Sequence, residues 1–132
     1  MAIGFGKGFE LHAQGMQIRT QRAEVIAGNI ANADTPGYKA KGMNFQKAMQ
    51  QASLQQQVGM SRTNAKHFDV RTELNNRVDF RIPDQPDTGD GNTVDVQVER
   101  NLYLENSLEY QAGVQFLNGK IKALKNVISG GR

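Results

Sequence analysis

Leu11, Ile18 and Val25 recur every seven residues, with Gly15, Arg22 and Asn29 at the alternate positions and Ile26 and Ile30 widening the stripe. This pattern predicts an amphipathic helix from about Phe9 to Asn32 with small and polar interruptions on its seam. Gly15 and Gly28 each lower its propensity by roughly 1 kcal/mol relative to Ala, so the helix is not expected to stand alone. The far end of the chain repeats the theme more strongly. Tyr110, Val114, Leu117, Ile121, Leu124 and Ile128 follow alternating four- and three-residue steps, and the register runs back through Ser107 to Tyr103. A sustained heptad of this kind is a coiled-coil seam or the face of a helix bundle. Lys120, Lys122 and Lys125 suit the negative end of the helix dipole, and Ser129-Gly130-Gly131 ends the helix. Its start falls between Thr93 and Glu99, with Asn92, Thr93 or Asp95 as cap. The alternation of Val94, Val96 and Val98 also permits a short extended piece there.

Between the two helices the pattern is weaker. Phe45, Ala48, Met49 and Ala52 have helical spacing and predict a short helix from about Asn44 to Gln57. Phe68 to Thr72 and Arg77 to Ile82 alternate apolar and polar residues around Asn75-Asn76, which predicts a small hairpin. Pro83, Pro86 and the run Asp87-Thr88-Gly89-Asp90-Gly91 predict a loop. A lone hairpin is marginal unless it packs on something, so only partial order is expected in the middle segment.

The first helix ends in "NIANADTPGYKAK", Asn29 to Lys41. Asn32 and Asp34 can satisfy the last helix carbonyls or take left-handed dihedrals. Thr35, preceding a proline, is pushed to an extended conformation. Pro36-Gly37 fits the two central positions of a type II turn, where glycine supplies the positive φ. Tyr38 combines an apolar ring with a polar tip, suited to lying on the turn or on a neighbouring chain. The stretch therefore reads as a hard stop with a fixed exit direction.

Composition bounds the rest. The chain has 132 residues, 38 % of them hydrophobic, and a formal net charge of +3. That apolar content is lean for a self-sufficient globule and fits a chain that completes its burial against partners. There is no cysteine, hence no disulfide framework and no thiolate metal site. No apolar run is long enough to cross a membrane, and the N-terminus lacks the charged and apolar regions of a secretory signal. Gly4-Phe5-Gly6-Lys7-Gly8 lacks the preceding strand and the spacing of a phosphate loop, and reads as a flexible arm. His12 and His67 are the only histidines. His12 reads as a surface or interface residue. His67 lies near Asp69, but no nucleophile accompanies them and no ligand set surrounds them. Arg19, Arg22, Lys39 and Lys41 are interleaved with Glu24 and Asp34, a solvated or ion-paired face rather than a nucleic-acid patch. Neither catalysis nor a cofactor is expected.

The segment Asn29-Ile-Ala-Asn-Ala-Asp-Thr-Pro-Gly-Tyr38, following an amphipathic helix, resembles the signature of the bacterial flagellar rod and hook family of axial proteins. Further blocks narrow the resemblance within that family: Arg81-Ile-Pro-Asp-Gln-Pro-Asp87, Asp90-Gly-Asn-Thr-Val-Asp95, Asn106-Ser-Leu-Glu-Tyr-Gln111 and the Ser129-Gly-Gly-Arg132 ending. Together they cover both ends of the chain and the loop before the last helix.

The resemblance implies a mainly α fold. The N- and C-terminal helices would pair, antiparallel and coiled-coil-like, as an inner domain, with Tyr110 to Ile128 facing the stripe of the first helix. That domain takes in 1–33 and 92–132, and 34–91 is a partly ordered middle segment. The implied function is that of a structural subunit stacking helically around an export channel and passing torque along a rod that crosses the periplasm. Export would run through the flagellar type III apparatus without a cleaved signal. The implied partners are other copies of the chain, proximal rod proteins of the FlgC and FlgF type, the rotor-ring junction of the FliE and FliF type, and the export apparatus. Candidate assembly residues are Leu11, Ile18, Val25, Asn29 and Asn32 on the first helix and Thr35, Pro36, Gly37 and Tyr38 in the turn. On the last helix they are Tyr110, Val114, Leu117, Ile121, Leu124 and Ile128. Two other readings are a non-catalytic helical module that docks one partner helix and a small basic nucleic-acid-associated protein. The heptad permits the first, and the scattered charge disfavours the second.

Overall fold

The computed structural model describes residues 5–57, 78–82 and 89–130, with no side-chain detail at 5–7 and 55–57. Its elements in chain order are helix α1 (Phe5–Ala31), strand β1 (Lys41–Gly42), helix α2 (Phe45–Gln57), strand β2 (Asp79–Phe80) and helix α3 (Val96–Ile128). At 1.5 Å per residue the terminal helices are about 40 and 50 Å long. Helix α1 begins four residues before the expected Phe9, so Phe5 to Gly8 continue the helix rather than form an arm. Glycine weakens a helix but leaves its hydrogen-bond ladder intact. The predicted strand at Phe68–Thr72, His67 and the loop at 83–88 lie outside the described residues.

Local chemistry sets the helix ends. Asp95 Oδ1 accepts from the amides of Gln97 at 2.8 Å and Val98 at 3.2 Å, so α3 starts at Val96 and the extended alternative does not arise. Asn44 plays the same part for α2, accepting from Lys47 N at 3.0 Å. Ser129 and a left-handed Gly130 end α3.

The terminal helices run antiparallel. His12 lies against Phe116 and Lys120, while Arg19 pairs with Glu109 and its carbonyl accepts from Asn106 Nδ2 at 2.9 Å. Nearer the end of α1, Val25 and Ile26 share a cleft with Leu102. Helix α2 packs on a different face of α1, and α2 and α3 do not meet. The densest apolar cluster joins α1 to α2: Ile18 with Ala48 and Ala52, flanked by Met43, Phe45 and Met49.

This corrects one expectation. The heptad of α3 is expected to face the stripe of α1, yet Ile18 faces α2, Val25 lines the cleft between β1 and Leu102, a residue of α3 outside the heptad, and Leu11 is exposed. What α3 meets is the neighbouring flank of α1, carrying His12 and Arg19. On α3 itself the buried residues are Glu99 and Asn106. Of the seam, Val114, Leu117 and Leu124 are half-buried, whereas Tyr110, Ile121 and Ile128 remain exposed. The reason lies in the polar contacts. Arg19 reaches Glu109 on one side and stacks over Phe45, 4.1 Å from the ring centroid, on the other. That bridge sets the rotation of α1 between its two neighbours.

The two-residue strands pair antiparallel, Lys41 opposite Phe80 and Gly42 opposite Asp79. Strand β2 falls inside the predicted 77–82 stretch, but its partner here is the chain leaving the Pro-Gly turn. Lys47 closes the ladder with an ion pair to Asp79 at 3.2 Å.

Because Ile18 is 1 % exposed and Leu11 39 %, the two stripe positions are not equivalent. Ile18→Ala should lower unfolding free energy by about 2–4 kcal/mol and Leu11→Ala by less than about 1. Urea denaturation of the purified chain followed by circular dichroism checks both.

Candidate functional site

Helix α1 leaves carbonyls exposed at its end, and the residues that answer them come from both sides of the chain. Asn32 Nδ2 returns to Gly28 O at 2.8 Å, which satisfies one locally. Its Oδ1 accepts from the Thr35 hydroxyl at 3.3 Å. No residue other than glycine has a positive φ among those described, so the left-handed option for Asn32 and Asp34 is not taken. The next four residues form the expected turn: Tyr38 N donates to Thr35 O at 3.3 Å, and Gly37 has φ 72°, as the third position of a type II turn requires.

Sixty residues away, Asn92 finishes the job. Its Nδ2 donates to the carbonyls of Asn32 at 3.0 Å, Ala33 at 2.7 Å and Thr35 at 2.9 Å. Its Oδ1 accepts from Val94 N at 2.8 Å, and the side chain is buried. Asp90 shapes the approach: its carbonyl accepts from Gly37 N at 2.9 Å and its side chain from Asn92 N at 2.9 Å. Thr93 N donates to Tyr38 O, Thr93 Oγ1 accepts from Ala40 N at 2.8 Å, and Lys39 Nζ reaches Gly91 O at 2.7 Å. Gly91 has φ 71°, and a Cβ there would stand 3.6 Å from the Gly37 backbone, so the two turns lie back to back.

Asn29 closes the inner side. It is fully buried, its Nδ2 donating to Lys41 O at 2.7 Å and its Oδ1 accepting from Lys41 N at 3.0 Å and the Tyr38 hydroxyl at 3.3 Å. Tyr38 thus lies on the turn. Ala40 is buried beneath the ladder, and its carbonyl accepts from Arg81 N at 2.8 Å. Arg81 Nη2 in turn lies 2.9 Å from Glu99 Oε1, tying β2 to the first turn of α3. Glu99 is fully buried. Removing the guanidinium would leave an uncompensated charge, which costs about 3–5 kcal/mol in comparable pairs.

The arrangement is a clasp. It joins the end of α1, the chain that departs from it and the chain that enters α3, using backbone amides, the side chains of Asn29, Asn32 and Asn92, and the Arg81–Glu99 ion pair. Among the described residues no group of three or more His, Asp or Glu side chains could hold a metal ion. Among the same residues no helix is long and apolar enough to cross a membrane. The groups gathered here hold backbone direction.

Residues 9–39 match the family described as flagella basal body rod protein. That span is α1 and the Pro-Gly turn, one half of the clasp. The other half lies within longer matches. A flagellar basal body rod protein FlgB from Aeromonas hydrophila is 49 % identical over 130 residues, covering 98 % of each chain. The FlgB of Escherichia coli K12 is 41 % identical over 125 residues, and that of Salmonella typhimurium 38 %, each covering 89 % of this chain and 90 % of its own length. The chain belongs to the FlgB family of flagellar basal body rod proteins.

In this FlgB-family chain the sequence-predicted residues divide. Asn29, Asn32, Thr35, Gly37 and Tyr38 come together in the clasp, with Pro36 exposed at its tip. Leu11 and the heptad of α3 lie elsewhere, partly open to solvent. Asn29 is wholly enclosed within the clasp. Sequence reasoning took Asn92 and Thr93 only as possible helix caps, and gave Arg81 and Glu99 no role. For Asn92, Thr93 and Arg81 the signal available was their place in the Arg81–Asp87 and Asp90–Asp95 blocks; Glu99 lies in neither. What periodicity could not supply was the pairing of those blocks with the Pro-Gly stretch.

Asn92→Ala should destabilise the chain by about 1–3 kcal/mol, the range for buried groups left unpaired. Asn92→Asp should do more harm than Ala, because it turns an anion toward three carbonyl oxygens. Chemical denaturation of both variants tests the order.

Proposed function

We propose that the chain is a structural subunit of the proximal part of the flagellar rod, assembling with its own copies and other rod components into a helical tube around the export channel. Membership in the FlgB family carries the coarse statement, a structural rod subunit of the basal body. The clasp supports the finer one. Every subunit in a helical stack must send its middle segment outward from the inner helices at one angle. Here that angle is fixed by Asn29, Gly37 and Asn92 rather than by the packing of a large core.

In this reading 1–33 and 92–132 form the inner helical domain and 34–91 the outer segment. The exposed seam residues Tyr110, Ile121 and Ile128 are available to neighbouring subunits. Gln111, Gln115 and Asn118, exposed on another face of α3, suit a wet channel wall. The rod would cross the periplasm, carry torque from rotor to hook, and receive this chain through the flagellar export apparatus without a cleaved signal. Its neighbours would be rod proteins of the FlgC and FlgF type and the FliE- and FliF-type junction. The open seam would also serve a free-standing module docking one helix, and family membership favours the rod.

A turn that sets direction predicts a particular phenotype. Valine at Gly37 is strained, because φ near +72° is an outlier for a β-branched side chain. Pro36→Ala with Gly37→Val should leave secretion near wild type while sharply reducing the amount of chain in purified basal bodies. Normal rod assembly by the double variant would contradict the reading.

A further inference from the structure

The clasp also builds a cleft. Lys41 and Gly42, held by Asn29, form one side, and Arg81, held by Ala40 O and Glu99, forms another. Helix α1 contributes Arg22, Val25 and Ile26, and α3 contributes Leu102. The space is open and about 290 Å³, enough for a branched apolar side chain. Its electrostatics are one-sided. Glu99 answers Arg81, and Glu109 reaches Arg22 only at 3.9 Å while pairing with Arg19. Lys41 is exposed, with no ion-pair partner among the described residues. The complement of such a site is an apolar side chain flanked by a carboxylate.

The chain displays that complement on its own surface. Leu104 and Leu108 are one helical turn apart on α3 and 61 % and 58 % exposed. Glu105 lies between them, exposed and without a partner among the described residues. Leu102 and Leu104 are two residues apart, so they point roughly 200° apart around the helix axis. Leu104 and Leu108 therefore face away from the cleft, about 160° and 120° around α3 from Leu102, while Glu105, three residues beyond Leu102, sits about 60° from it on the edge nearer the cleft. We infer that the cleft receives Leu104, Glu105 and Leu108 of a second copy of this chain. A patch and its complement on different sides of one element give a heterologous contact. Such contacts propagate into rings or helical stacks instead of closing as a dimer. The inference rests on the rod reading and names the surface by which one copy meets the next. It also gives the clasp a second task, since Lys41 and Arg81 are in place only when the turn is closed.

Because the chain has no cysteine, introduced pairs report without background. Met43, partly buried beside Lys41 and lining the same cleft, is replaced in Met43→Cys and combined with Leu108→Cys; a second chain carries Lys41→Cys with Glu105→Cys. Each replaces the wild-type chain in cells, and isolated basal bodies are oxidised. At least one pair should give disulfide-linked dimers and higher multimers, while the single-cysteine chains stay monomeric. In parallel, Glu105→Lys should reduce the chain in basal bodies at least about tenfold through like-charge repulsion, and adding Lys41→Glu should restore it. Circular dichroism of the purified variants confirms that the helices are retained. Missing multimers from both pairs with the chain present in basal bodies, or normal assembly of Glu105→Lys, overturns the contact and leaves the rod reading standing. Absence of the wild-type chain from basal bodies overturns both.

Discussion

One amide group, Nδ2 of Asn92, faces the carbonyls of Asn32, Ala33 and Thr35, and the architecture depends on that convergence. A helix that ends in a tight turn leaves acceptors behind, and buried acceptors must be paired. Here the pairing comes from the entrance to the other long helix. The end of α1 and the start of α3 are thereby joined by hydrogen bonds in addition to the packing of their helix faces. The direction of the Pro-Gly turn, the placement of Lys41 against Asn29 and the position of Arg81 beside Glu99 all follow from it.

The contact between the long helices has a matching character. Its anchors are polar: Arg19 with Glu109, and Asn106 with the Arg19 carbonyl. Buried polar pairs add little net stability but penalise every register in which they are unmatched. The apolar residues buried among those described are few and mostly small: Ile18, Ile26, Ala40, Ala48 and Ala52. The fold thus fixes register and direction with hydrogen bonds and leaves much of its apolar heptad uncovered. Such a division suits the proposed rod subunit, whose uncovered face would be completed by neighbours.

Much of this was legible along the chain wherever the cause is local. The Asp95 cap, the Gly37 turn, the short second helix and the end of α3 each depend on residues within a few positions of one another, and the pattern predicts them. What was not legible depends on distant partners. A stripe of Leu11, Ile18 and Val25 announces a buried face without saying which element covers it: α2 covers Ile18, Val25 lines a cleft shared by β1 and α3, and Leu11 stays partly exposed. The strand at Asp79–Phe80 announces an edge without naming Lys41–Gly42 as its mate. The part played by Asn92 depends on carbonyls about sixty residues earlier, and an asparagine before a helix reads most simply as a cap. The family resemblance held both halves of the clasp, but resemblance lists residues and does not pair them.

Amide hydrogen exchange on the intact chain, with and without Asn92→Ala, tests the clasp most directly. The amides of Gly37, Lys41, Arg81 and Thr93 donate across the clasp to Asp90, Asn29, Ala40 and Tyr38 respectively. They should be protected to a similar degree in the wild-type chain, and Asn92→Ala should release all four together while the middle of α3 stays protected. Exchange of these amides at the rate of exposed loop positions in the wild-type chain would contradict the account. So would a substitution that releases only its immediate neighbours.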